Sequence, residues 1–175
     1  MQFATTAPRK GKALTTEPLD LPKFLPYRLS ILSNRVSREL ASVYADQFDL
    51  SIHEWRIMAV LGRFPDICAN EVVERTAMDK VKVSRAVQKL FDAGRLQRER
   101  DPGDRRRQIL SLSPAGRDIY NQIVPLARTY ESRLLGQLPP EQRAVLDQVL
   151  ALIETNMDHV EAETGKTGFP PSPND

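Results

Sequence analysis

Apolar residues recur at helical spacing from about Pro22 to Phe48: Phe24, Leu25, Leu29, Ile31, Leu32, Val36, Leu40, Val43, Tyr44 and Phe48. That run predicts one long helix. Ser51 with Glu54 three residues on has the form of a capping box and starts a second helix, carrying Trp55, Ile57, Met58, Val60 and Leu61. It ends near Gly62 and Phe64-Pro65. Asp66 to Ala77 reads as a short third helix with Ile67, Val72 and Val73 inward. Asp79 caps a fourth, whose Val83, Ala86, Val87, Leu90 and Phe91 repeat at three and four residues and turn inward. Gly94 stops it.

The period then changes. Leu96–Arg100 and Gln108–Ser113 alternate apolar and polar positions, and Asp101-Pro102-Gly103-Asp104 between them is a strong turn signal. This predicts a two-stranded ribbon with a basic tip. Ser113-Pro114 opens a further helix with proline at its first position, running to about Gln137 and interrupted or kinked near Pro125. A last helix begins at Pro139-Pro140-Glu141 and carries Val145, Leu146, Val149, Leu150, Leu152, Ile153, Met157 and Val160. The fold class is mainly α with a small β-hairpin. Three short helices and a hairpin make a winged helix-turn-helix, flanked by long terminal helices that form a helical dimerisation domain. Those helices are too apolar for a monomer of this size, so a homodimer is the simplest arrangement. The expected interface is Phe24, Leu25, Leu134, Leu135, Leu138, Leu146, Leu150, Ile153 and Met157, of which several can equally belong to an ordinary intrachain core.

Composition narrows the function classes. The chain has 175 residues, 41% hydrophobic and 6% aromatic, which suits one domain with a helical appendage and disfavours an aromatic binding platform. Cys68 is the single cysteine and there are two histidines, which excludes a disulfide scaffold and a cysteine-based zinc site. No apolar run approaches the roughly 20 residues needed to cross a bilayer. No secretory signal is legible at the N-terminus. The expectation is a cytoplasmic protein with no membrane partner. There is no Gly-rich phosphate loop, HExxH or GxSxG, so neither an enzyme nor a cofactor or metal is expected.

Net charge is only +2, but its distribution is uneven. Asp79 to Arg107 holds ten Lys/Arg against five Asp/Glu, leaving −3 for the rest of the chain. That is the footprint of a surface that meets a polyanion. On the fourth helix the apolar stripe leaves Lys80, Lys82, Ser84, Arg85, Gln88 and Lys89 outward or flanking. A major groove admits one helix; Ser84, Arg85 and Gln88 suit base edges, and Lys80, Lys82 and Lys89 suit phosphates. At the hairpin tip Arg105, Arg106 and Arg107 suit a narrow, electronegative minor groove or the backbone beside it. The plain alternatives are a solvated helix face and an exposed basic turn. The last helix carries six acids against Arg143 and is expected to face away from DNA.

The stretch DPGDRRRQILSLSPAG (101–116) resembles the wing of the MarR family of bacterial transcriptional regulators, whose pattern there is Asp-x-Arg, alternating apolar residues, Leu-Ser/Thr and a helix opening near a glycine. SIHEWRIMAVL and MDKVKVSRAVQKLFDAGRLQRERD resemble the helices before it, and the similarity covers about residues 22 to 163. The resemblance implies a homodimer on a pseudo-palindromic operator of double-stranded DNA, with recognition helices ~34 Å apart. It implies repression by operator occlusion, and release by a small effector such as an aromatic carboxylate or an acyl thioester. It makes Arg106 the groove-inserting residue, held by Asp104.

It also implies an effector site where the first helix, the second helix and the winged domain meet, giving Tyr27, Arg28, Ser30, Asn34, Arg35, Arg38, His53, Trp55 and Arg56 as candidates. The plainer readings are Trp55 as core, Ser30 and Asn34 as merely solvated, Arg38 and Arg56 as surface ion-pair partners, and His53 as simply exposed near a helix start. Some relatives sense peroxide through a cysteine on the first helix; Cys68 lies elsewhere and reads as structural. The organisation is a flexible arm (1–20), a first dimerisation and ligand-site helix (21–48), the winged domain (49–113), C-terminal dimerisation helices (114–163) and a disordered tail (164–175). The rival readings are a non-specific architectural DNA binder and a protein-interaction dimer on a winged scaffold.

Overall fold

The computed structural model describes residues 17–100, 103 and 107–164. The expected arm up to residue 16, the tail from residue 165, and Asp104, Arg105 and Arg106 lie outside the described residues. The chain divides into a first unit ending at Glu39 and a second beginning at Leu40.

The first unit carries most of helix α1 (Leu25–Ala41). Lys23 pairs with Asp20 at 3.0 Å just ahead of it. None of the residues of α1 is buried, and Phe24, Leu25, Tyr27, Leu29, Ile31 and Leu32 are all exposed.

The single long helix expected over 21–48 is two helices. The chain turns at residues 42–44 and resumes as α2 (Ala45–Phe48). Backbone bonds from Val43 to Leu40 and from Tyr44 to Ala41 tighten the turn. Its cause is Tyr44, which is 1% exposed and sinks beside Trp55, ring centroids 5.5 Å apart. Burial pushes the Tyr44 hydroxyl up to about 12, against the lowering effect of the Arg56 charge.

Ser51 caps α3 (Ile52–Arg63) as the sequence foretells. Its Oγ accepts from the Glu54 N–H at 3.3 Å, and Glu54 Oε2 accepts from the Ser51 N–H at 3.0 Å. Ile57, Met58 and Leu61 of α3 form the centre of the core. Burying each of them completely contributes roughly 1.5–3 kcal/mol.

The third helix starts later than expected. Asp66 adopts φ 61°, and Ile67–Cys68 form a short strand, β1, before α4 (Ala69–Thr76). β1 pairs antiparallel with β3 (Gln108–Leu112), which pairs in turn with β2 (Leu96–Arg100). The expected two-stranded ribbon is therefore a three-stranded sheet of order β1-β3-β2. Without β1, one edge of β3 would keep its backbone donors and acceptors unpaired. Two residues are too few for any period to announce the strand.

Helix α5 (Lys80–Asp92) lies between α4 and β2 in sequence and ends where Gly94 takes φ 67°. Helix α6 (Pro114–Leu134) starts with proline at its first turn and continues through Pro125, so of the expected interruption or kink the interruption does not occur. Ile123, fully buried, and half-buried Val124 and Ala127 pack that stretch onto the core, which offsets the missing proline N–H. Ser113 Oγ accepts from the Gly116 N–H and donates to the Gly94 carbonyl at 2.7 Å. A Cβ on Gly116 would collide with the Arg95 carbonyl oxygen, so this crossing requires glycine. Arg95 also donates to the carbonyls of Phe48 and Asp49 at 2.7 and 2.9 Å, satisfying acceptors left over at the end of α2.

Helix α7 (Pro140–Thr164) is the last element among the described residues. No helix among the described residues is long and apolar enough to cross a membrane.

Candidate nucleic-acid interface

Helix α5 owes its position to a cap and a stripe. Asp79 Oδ1 accepts from the N–H groups of Val81 and Lys82 at 2.8 and 3.3 Å, which fixes the first turn. Val83, Ala86, Val87 and Leu90 then sink into the core. The opposite face is set by that burial: Lys80, Lys82, Ser84, Arg85, Gln88 and Lys89 are all exposed.

Two clefts flank this face and divide its polar groups. One, of about 330 Å³, opens towards α4 and the sheet and takes Lys80, Ser84 and Gln88 with Asn70, Arg98 and Gln108. The other, of about 280 Å³, opens towards the start of α3 and takes Lys82, Arg85 and Lys89 with Ser51 and His53. The second cleft thus sets Lys82, Arg85 and Lys89 beside the single carboxylate of Glu54 at a helix N-terminus, an excess of cations where an anion is favoured. The first carries neutral hydrogen-bonding groups between two cations, the arrangement suited to base edges.

Lys89 is already engaged. Its ammonium lies 3.1 Å from Glu54, a carboxylate only 3% exposed that also closes the cap of α3. The pair ties α5 to α3, so its ammonium is shared between a structural contact and any phosphate nearby. Phe91 does not turn inward as its spacing suggests; it is 40% exposed, and the Arg98 guanidinium covers its ring at 4.5 Å.

At the wing, only Arg107 of the expected arginine set lies among the described residues. It is exposed, and its guanidinium reaches Glu71 Oε2 at 3.3 Å. Glu71 accepts from the Cys68 N–H at 2.9 Å as well. Hydrogen bonds from the Cys68 backbone and thiol hold the Glu71 carboxyl below its ordinary value, with Arg107 and Arg75 adding to the effect and outweighing desolvation. Arg107 therefore anchors the base of the wing to α4. Cys68 stands at the end of β1 and the start of α4, half-buried, rather than inside a helix.

The candidate effector residues divide between the two units. Tyr27, Arg28, Ser30, Asn34, Arg35 and Arg38 lie exposed on α1 in the first unit. In the second unit Trp55 is core, 7% exposed and packed between Tyr44 and Tyr120. Arg56 is half-buried in the electrostatic reach of Tyr44. His53 is exposed and lines the cleft with Lys82 and Arg85, so it stands with the cationic surface.

Sequence reasoning passed over Arg98, Asn70 and Gln108. For Arg98 a signal existed: it follows Leu96 by two residues on a strand, which places both on the face turned towards α5. Among the described residues no cluster of His, Cys, Asp and Glu could hold a metal ion.

Residues 48–107 match the model of the MarR family. The chain is 24% identical over 172 residues to the HTH-type transcriptional regulator TtmR of Methylorubrum extorquens, covering 97% of this chain and 85% of that one. The transcriptional repressor CouR, solved bound to a 23-mer DNA duplex, is 26% identical with a TM-score of 0.65, over 77% of this chain and 94% of its own. Bordetella bronchiseptica BpsR, solved in a study of the regulation of its DNA binding by 6-hydroxynicotinic acid, shares the fold at 23% identity. Its TM-score is 0.69, over 78% of this chain and 97% of its own.

Proposed function

We propose that the chain, whose residues 48–107 match the model of the MarR family, is a homodimeric DNA-binding repressor that binds a pseudo-palindromic operator and leaves it when a small aromatic acid binds. The observation that carries the DNA reading is the exposed face of α5, where one capped and packed helix presents Lys80, Lys82, Ser84, Arg85, Gln88 and Lys89 together, along two flanking clefts. Arg85 and Ser84 contact base edges, with Gln88 beside them. Lys80, Lys82 and His53 contact phosphates, and Lys89 adds to them from its pair with Glu54. Arg106 enters the minor groove, as the wing motif implies. The exposed apolar positions of α1, the end of α6 and α7, including Leu25, Leu134, Leu146, Leu150 and Met157, meet a second copy. The regulation of BpsR by 6-hydroxynicotinic acid supports an aromatic acid as effector, and Arg28, Arg35 and Arg38 on α1 supply guanidinium groups for its carboxylate.

The test uses the full chain and duplexes it selects from a random pool. Selection should return a two-fold symmetric site. Arg85→Ala should weaken binding to that site by about 1–3 kcal/mol and relax preference at one position per half-site, whereas Lys82→Ala should weaken all duplexes alike. A set of aromatic acids, titrated singly, should contain one that both raises the melting temperature and releases the duplex. Binding with no sequence preference would leave an architectural DNA binder instead.

A further inference from the structure

A glutamine that reads a base needs to know which way its amide points. The side chain sets an acceptor beside a donor, and adenine offers the complementary pair in the major groove, N7 and the N6 amino group. A free amide turns over and exchanges the two, so it discriminates poorly. Gln88 is denied that freedom. Arg98 on β2 donates from Nη2 to Gln88 Oε1 at 3.1 Å. Gln88 Nε2 in turn donates to Asp92 Oδ1, one helical turn on, at 2.7 Å. Turned over, the amide would set its NH2 against a guanidinium and its oxygen against a carboxylate. Both contacts would then be repulsive. A cation on one side and an anion on the other thus define a single orientation. One lone pair of Oε1 and one hydrogen of Nε2 remain for a partner.

Arg98 is itself held in place. Strand alternation puts it on the face of β2 shared with Leu96, towards α5, and its guanidinium carbon lies over the Phe91 ring, 4.5 Å from the centre. This explains why α5 leaves a phenylalanine exposed: the ring is the platform for the arginine. Gln88, Arg98 and Ser84 all open onto the same cleft.

We propose that Arg98 and Asp92 are positioning residues for base recognition, holding the Gln88 amide in one orientation so that it selects adenine at one position of each operator half-site. The proposal rests on the regulator reading above. It makes the wing strand a determinant of what the recognition helix reads, without contact between Arg98 and the base.

The experiment compares base preferences of the full-length chain and its variants, each obtained by selection from a random duplex pool. Gln88→Ala identifies the position by losing the preference for adenine there. Arg98→Ala should lower the preference at that same position about fivefold or more and leave the other positions unchanged. The double variant should lose nothing further, because the two residues act as a unit. Arg98→Lys, which keeps a donor for Oε1, should restore part of the preference, and Asp92→Ala should reproduce the loss. Arg98 is exposed, so melting temperatures of the variants should stay close to the parent. If Arg98→Ala weakens every duplex alike and lowers the salt dependence by about one phosphate contact, Arg98 is a backbone contact and the proposal fails. It fails also if the preference at the Gln88 position is untouched. A parent chain with no preferred sequence would remove the regulator reading and this inference together; a selective parent with an indifferent Arg98→Ala removes this inference alone.

Discussion

Helices α5 and α7 carry apolar residues at the same three- and four-residue spacing and meet opposite fates. In α5, Val83, Ala86, Val87 and Leu90 are buried against α3, α4 and β2. In α7, nearly twice as long, no residue among those described is buried, and Val145, Leu152 and Met157 are more than half exposed. Periodicity makes a helix amphipathic; it does not supply the surface the stripe will cover. A stripe of this kind left exposed is the kind of surface that a second chain can cover, which is the role proposed for α7. The charges sort the same way. The exposed face of α5 is cationic and suits phosphates, whereas Asp147, Glu154 and Asp158 on α7 would repel them.

The largest effect should come from cutting into the side of the contrast that is already satisfied. Leu61→Ala removes a fully buried side chain from the core and should cost about 2–5 kcal/mol, measured by denaturant unfolding, with the loss independent of protein concentration. Charging the unsatisfied side should act differently. Leu150→Glu with Met157→Glu should turn the dimer into a monomer in sedimentation and lower operator affinity about a hundredfold, because two half-sites are no longer engaged together. The circular dichroism of the winged core should persist. A variant that stays dimeric would show that α7 is not the interface. Gly116→Ala probes the junction between the two regions, where α6 leaves the wing. Overpacking against the Arg95 carbonyl should cost about 1–3 kcal/mol in thermal unfolding.

The smallest effect concerns the wing anchor. The Glu71 carboxyl is lowered from its ordinary 4.5 by its hydrogen bonds to Cys68, with help from Arg107. A depressed carboxyl stabilises the fold above its unfolded value, and the contribution is lost as pH falls through the lower folded value. Glu71→Gln should therefore melt slightly below the parent at neutral pH and converge with it under acid. Equal melting temperatures at neutral pH would show that the Glu71–Arg107 contact is without consequence.

Local chemistry was legible from the chain alone. Ser51 with Glu54, Asp79, Gly94 and Ser113-Pro114 mark element ends through groups within a few residues of one another, and each stands where it was expected. The cationic stretch around α5 needed only counting. Tertiary structure decided the rest, because each of those features joins residues distant in the chain. Ile67 becomes a strand only by pairing with Leu110, Tyr44 breaks a helix only because Trp55 awaits it, and Lys89 finds Glu54 on another helix. Gln88 is likewise exposed by its place in a period, but the direction of its amide is set by an arginine on a strand the helix does not contain.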